Sequence, residues 1–132
     1  MSLEYAPRGL VGMLTPQANT TVEPEFNILW PKGVAMINAR LVSDKNTISA
    51  RLVDYFQNYG ATLSQFANAP VGVAAAACTG ASYLAGRERE AATVKEIEAH
   101  TGYSFVTCTT PSSTSSATSS RRCCCASMRR QR

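Results

Sequence analysis

Long apolar runs are missing from this chain. None approaches the roughly 20 residues that a membrane-spanning helix needs, and Met1 to Gly9 lacks the apolar core of a secretory signal. A reducing cytoplasm is the expected setting, with no membrane partner. Cysteine is scarce wherever the sequence is patterned: only Cys78 and Cys108 precede residue 111. The remaining three, Cys123, Cys124 and Cys125, are consecutive, which is not a metal-ligand spacing such as C-x₂-C. Neither a disulfide framework nor a metal site is expected. No Gly-rich dinucleotide fingerprint is present, so a nicotinamide is not expected.

A charge excess is missing too, once the last residues are set apart. Residues 1–110 carry 8 Lys+Arg against 9 Asp+Glu, whereas residues 111–132 carry 5 Arg and no acid. The formal net charge of +4 therefore belongs to the tail, and the rest of the chain gives no electrostatic reason to expect nucleic acid. With 132 residues, 45% hydrophobic and 17% charged, the composition suits one globular domain with a modest core.

What is present alternates. Leu10 to Leu14 reads as a buried strand, followed by a polar loop over Pro16 to Thr21. Glu23 to Trp30 reads as a short helix. Pro24 suits its first turn, and Thr20 with Glu23 offers a capping box as an alternative start. Val34 to Leu41 is a second strand. Ile48, Leu52, Tyr55, Phe56, Tyr59, Leu63 and Phe66 recur at three- and four-residue spacing, which predicts one long amphipathic helix, with Gly60 inside it. The run from Val71 to Ala77 is ambiguous, since alanine favours helix. Pro70, Gly72 and its place in the alternation make it a strand. Ala81 to Thr101 reads as a helix with Leu84, Ala91, Val94 and Ile97 inward, stopped by Gly102, and Tyr103 to Cys108 is a fourth strand.

The order β-α-β-α-β-α-β argues an α/β fold: a flavodoxin-like parallel sheet of about four strands with helices on both faces. In strand order 2-1-3-4 ligands bind outside the carboxyl ends of strands one and three, where the order reverses. The first of these ends carries Asn19, Thr20 and Thr21; the third carries Cys78, Thr79 and Gly80. Backbone N–H groups at helix starts suit a carboxylate, and the Asn19 amide could donate to the same anion. A helix start also lowers a thiol pKa. Each residue has a plainer reading: Cys78 as a packed core thiol, Asn19 as a turn residue bonding its own backbone. Glu23 and Glu25 read as favourable charges near a helix start and His100 as one near a helix end. Cys108 reads as strand-end packing, and Arg87 to Glu90 as a solvated face. Arg40 could reach the cleft from the end of strand two.

Pro16-Gln17-Ala18-Asn19-Thr20-Thr21-Val22-Glu23-Pro24-Glu25-Phe26 resembles the first loop of the maleate cis-trans isomerase branch of the aspartate/glutamate racemase superfamily. Ala77-Cys78-Thr79-Gly80 resembles its first catalytic cysteine motif, and Glu96-Ile97-Glu98, Thr101-Gly102 and Thr107-Cys108-Thr109-Thr110 fit the same pattern. The resemblance covers residues 9 to 110. It implies one half of a two-domain pseudosymmetric enzyme that works without a cofactor on a small carboxylate or dicarboxylate. By position, Cys78 would be the nucleophile that adds to the alkene so that the C2–C3 bond can rotate. Asn19 and the backbone around Thr79 and Gly80 would bind the substrate. Amino-acid racemases of the superfamily use two thiols, one on each face of a carbon. Arylmalonate decarboxylases share the fold but lack this first cysteine, so Cys78 argues against decarboxylation.

The second half of that architecture is missing from residues 111–132, which run Ser-Ser-Thr-Ser-Ser and then Arg-Arg-Cys-Cys-Cys. The expectation is an N-terminal half-domain over 1–110 and a low-complexity basic tail over 111–132, disordered or frameshifted. Out-of-frame translation of a GC-rich gene accounts for the tail's composition. A genuine Arg-rich interaction segment is the alternative, and the nucleotide sequence across codons 105 to 132 separates the two. On this reading the chain is a truncated isomerase, inactive alone. The competing readings are a racemase and a non-catalytic module that binds a carboxylate or a protein, with homo-oligomer formation through the exposed half-domain interface.

Overall fold

Four parallel strands carry the molecule. The structure, a computed structural model, describes residues 3–109; the expectation for the 111–132 tail lies outside the described residues. In chain order the elements are β1 (Gly9–Pro16), α1 (Val22–Leu29), β2 (Val34–Leu41), α2 (Ile48–Gln57), α3 (Tyr59–Leu63) with a 3₁₀ turn (Ser64–Phe66), β3 (Val71–Ala76), α4 (Thr79–Ala85), α5 (Arg87–Thr101) and β4 (Ser104–Thr107). The sheet order is β2-β1-β3-β4, as the alternation predicted. β1 is central, pairing Leu14 with Ala39 on one side and with Ala76 on the other.

The two sheet faces differ. Ala39 and Leu41 lie in a core with Tyr55, Phe56, Tyr59, Leu63, Ala81, Val94 and Ile97, so α2 to α5 cover that face. Asn38 and Arg40, alternating with them, reach Glu23 of α1 on the opposite face. β3 forms despite its alanines because β1 and β4 supply ladders on both sides. Here tertiary pairing overrides helix propensity. Small side chains at Ala74 and Ala76, both essentially fully buried, let the helical layer sit close.

Both long helices are interrupted. The one predicted from Ile48 to Phe66 breaks at Asn58, whose side-chain amide donates to the Asp54 carbonyl at 2.8 Å. That competing bond is why such residues suit helix ends. Ile48, predicted inward, is 76% exposed. The one predicted from Ala81 to Thr101 breaks at Gly86, which has φ +79; a left-handed φ is unstrained only for glycine. The break resets the helical phase. Val94 and Ile97 are buried as expected, but Leu84 and Ala91 are exposed and Glu90 is buried. Gly102, with φ +79, closes α5 as predicted. The Glu98 carboxylate accepts from the Phe105 N–H at 2.9 Å, tying α5 to β4.

Gly12 has a packing role that its sequence context does not announce. A Cβ there would lie 2.7 Å from the Phe66 ring. No described helix is long and apolar enough to cross a membrane.

Candidate functional site

The carboxyl ends of β1, β3 and β4 converge on one edge of the sheet, and each carries residues singled out by the sequence. β1 and β3 are neighbours, and the Ala77 N–H donates to the Leu14 carbonyl at 2.9 Å, extending their ladder toward Cys78. Asn19 follows β1 and Cys78, Thr79 and Gly80 follow β3, so the fold brings both motifs to one edge.

The loop after β1 is pinned to the end of β2. Its Gln17 N–H donates to the Leu41 carbonyl at 2.9 Å, and the Gln17 side chain accepts from the Ser43 N–H at 2.7 Å. Arg40 donates to the Asn19 carbonyl at 2.7 Å and to the Pro16 carbonyl at 3.3 Å, and pairs with Glu23. Arg40 is thus engaged in holding the loop rather than reaching into the cleft. Glu23, which also accepts from Asn38, is the anchor for that guanidinium.

Asn19 bonds its own local backbone, as its turn reading expected. Its Oδ1 accepts from the N–H groups of Thr21 at 3.0 Å and Val22 at 3.1 Å, satisfying donors that the start of α1 leaves open. The alternative start, a Thr20–Glu23 capping box, does not form: Thr21 is the N-cap residue, without a side-chain cap of its own. With Oδ1 occupied, the side-chain N–H₂ is the part of Asn19 left for a ligand, and it can only donate.

Cys78 is buried, at 5% exposure, and is the N-cap residue of α4. The expectation of an acidified thiol is overturned. Burial pushes the thiol above its ordinary 9.0, the Ala81 N–H pulls it down, and Cys108 adds to the rise. Desolvation disfavours the thiolate, and α4, with 7 residues, offers a short dipole against it. Gly80 has a packing role: a Cβ there would lie 3.0 Å from Leu52. The missing side chain lets α4 seat against α2.

The residue that sequence reasoning placed wrongly is Glu90. Predicted on a solvated face, it is 2% exposed and accepts from the Thr109 hydroxyl. Burial pushes its carboxyl up, but the hydroxyls of Ser82, Thr107 and Thr109 outweigh it and hold the pKa below the ordinary 4.5. Tyr59 lies nearby, 1% exposed. Its phenol is raised by burial and by the charges of Cys78, Cys108 and Glu90, with Ser82 opposing. Although Ser82 is close enough to favour ionisation of both neighbours, Tyr59 Oη, Ser82 Oγ and Glu90 Oε1 do not close to hydrogen-bond geometry. The one sequence signal for this cluster was the glycine at 86, which shifts the phase of the helix.

Cys108, expected as packing, is exposed, and its thiol donates to the Ala76 carbonyl at 3.4 Å. It lines a cleft of about 310 Å³ with Ser82, Tyr83, Gly86, Arg87 and Thr109. A second cleft, about 420 Å³, lies between α3 and α5 beside Tyr59, Leu63 and Ile97 and includes none of the predicted site residues. Its position away from the strand ends sets it apart from the chemistry. Among the described residues no group of three or more His, Cys, Asp or Glu could hold a metal ion.

The fold and this edge define a four-stranded parallel α/β unit with its candidate site at the switch point between β1 and β3. Solved structures with the same fold are the maleate isomerase Iso from Pseudomonas putida S16, at TM-score 0.61 and 17% identity, and its cysteine-to-alanine variant with maleate, at TM-score 0.62 and 17% identity. The first match covers 76% of this chain and 45% of the isomerase, the second 76% and 44%. The chain thus spans less than half the length of these structures. No protein-family model and no curated protein matches it.

Proposed function

We propose that this chain is one half of a cofactor-independent maleate isomerase-like site, acting on a small dicarboxylate. The observation that supports the reading is the pairing of β1 with β3, whose carboxyl ends lead into Asn19 and Cys78, with the Asn19 Oδ1 already engaged by its own loop. The Asn19 amide and the backbone N–H groups of Thr79 and Gly80 hold a carboxylate. The Cys78 sulfur adds to an alkene carbon, and the π electrons move onto the neighbouring carbon beside its carboxylate. Rotation about the resulting single bond and loss of the thiolate give the trans isomer.

The chain alone is inactive on this reading. The thiol must lose a proton before it adds, and burial holds it protonated. Of the groups acting on Cys78, only the Ala81 N–H favours the thiolate. A second half would close the cleft and supply the missing proton acceptor. That elevated thiol also favours a second reading, a carboxylate-binding module without turnover. A racemase remains the alternative within the same superfamily. The proposed setting is the reducing cytoplasm. The exposed Ile28 and Leu29 on α1, at 81% and 74%, form the proposed surface for self-association, which sedimentation at rising concentration tests.

The test is proton NMR of maleate incubated with the full chain and with Cys78→Ala. The reading predicts no fumarate from the chain alone, together with protection of Cys78 from alkylation by maleate. Fumarate from the native chain but not from Cys78→Ala would establish the nucleophile and overturn the inactivity. Fumarate from both would sink the nucleophile, and absence of protection would sink the binding site.

A further inference from the structure

Cys78 and Cys108 occupy the ends of adjacent parallel strands. Ala76 pairs with Thr107 in the last rung of the β3–β4 ladder. Cys78 lies two residues beyond that rung on one strand and Cys108 one residue beyond it on the other. Neighbouring strands run about 4.8 Å apart, and a disulfide spans Cα atoms about 4.4–6.8 Å apart. The Cys108 thiol is already turned toward β3, donating to the Ala76 carbonyl at 3.4 Å. Cys78 is the N-cap residue of α4, and Cys108 lines a cleft with Ser82, Gly86 and Arg87 at the α4–α5 junction, so both cysteines sit beside the same helical layer.

Two further features make the pair chemically unequal and positionally held. Cys108 is exposed in the 310 Å³ cleft and Cys78 is buried, so an oxidant reaches Cys108 first. Thr107 and Thr109 flank Cys108, and both hydroxyls favour the buried Glu90 carboxylate. Glu90 thereby fixes the strand end that carries Cys108 from both sides.

We propose that Cys78 and Cys108 are a redox pair that closes to a reversible disulfide when the chain meets hydrogen peroxide. The Cys108 sulfur attacks the peroxide, the O–O bond breaks, and hydroxide leaves to become water; Cys108 is then a sulfenic acid. The Cys78 sulfur gives up its proton and attacks the Cys108 sulfur. The S–S bond forms, the S–O bond breaks, and the departing hydroxide takes up a proton. Two thiols are oxidised by two electrons and one peroxide is reduced to two waters. Closure exchanges the Cys108–Ala76 contact for the Cys78 sulfur. A dithiol reductant reverses it by thiol–disulfide exchange, becoming a disulfide itself. The consequence, that oxidation switches off the nucleophile, rests on the proposed function; the bond itself does not.

The experiment uses the full chain and its Cys123→Ser/Cys124→Ser/Cys125→Ser variant, treated with one equivalent of hydrogen peroxide and mapped by peptide mass spectrometry. The expected product in both is a Cys78–Cys108 cross-linked peptide, lighter by two hydrogens, with Cys78 no longer alkylated under denaturing conditions until dithiothreitol is added. In Cys108→Ser, Cys78 should stay alkylatable at the same peroxide dose. Sulfenic or sulfinic acid accumulating on Cys108 while Cys78 remains free would overturn the proposal, as would Cys108 bonded only to the tail cysteines. Cross-linking in a chain whose Cys78 is not protected by maleate would leave the redox pair standing and the dicarboxylate site refuted.

Discussion

A thiol at the start of a helix and a thiol inside a core respond to opposite forces, and Cys78 is both. The Ala81 N–H favours its thiolate while desolvation disfavours it, and desolvation wins. Alkylation of Cys78 by iodoacetamide should therefore stay slow at neutral pH, climb with pH, and reach half of its plateau only above pH 9.0, the ordinary value from which the thiol is raised. A rate already at its plateau at neutral pH would contradict this. The Asn19 Oδ1 is an acceptor that serves the fold, and on the proposed reading its side-chain N–H₂ is the donor to the ligand. Asn19→Asp keeps the acceptor and removes the donor. It should change stability by less than about 0.5 kcal/mol, since Asn and Asp serve equally at helix starts, yet lose protection of Cys78 by maleate. Asn19→Ala should lose protection and about 1 kcal/mol as well. Denaturant midpoints alongside the protection assay distinguish the two variants.

Among the elements, the junction of α4, α5 and β4 depends on a buried carboxylate. The folded pKa of Glu90 lies below its ordinary 4.5, so its contribution is fully present above that value and is lost as pH falls through the folded pKa. Urea midpoints should fall on acidification in the native chain and fall less steeply in Glu90→Gln. Parallel curves would remove Glu90 from the account. The contact between β1 and the 3₁₀ turn depends on absence of a side chain: Gly12→Ala drives a methyl into the Phe66 ring, where overpacking costs about 1–3 kcal/mol. An unchanged denaturant midpoint would mean that the ring has room to move.

Element types were readable because period and punctuation agree. Pro70 and Gly72 mark β3 as a strand against its alanines, and Pro31-Lys32-Gly33 separates α1 from β2. Helix phase was less readable, because a continuous stripe hides a break made by local bonds. Asn58 turns back onto Asp54, and Gly86 takes a positive φ; neither leaves a gap in the hydrophobic pattern. Glu90 was misplaced for that reason, since a run of alternating charges looks solvated until the helix carrying it is rotated. The residues of the candidate site were visible as loop residues at predicted strand ends. Their hydrogen bonds and the direction of the Cys78 shift needed burial, which no spacing encodes.

At the scale of the whole molecule, a fold built on a four-stranded sheet in the order β2-β1-β3-β4 matches a maleate isomerase structure over 76% of this chain and 45% of that one. Among the described residues, one face is covered by α2 to α5 and the other by α1 alone, whose Ile28 and Leu29 are exposed. On the proposed reading, the Asn19 amide and the Thr79 and Gly80 N–H groups bind a dicarboxylate without efficient chemistry. The most direct measurement is a maleate titration of the ¹⁵N-labelled full chain followed by heteronuclear NMR. The account predicts saturable shifts of the Asn19 side-chain N–H₂ and of the Thr79 and Gly80 amides. Saturable shifts confined to the cleft between α3 and α5, or none at any of these groups, would contradict it.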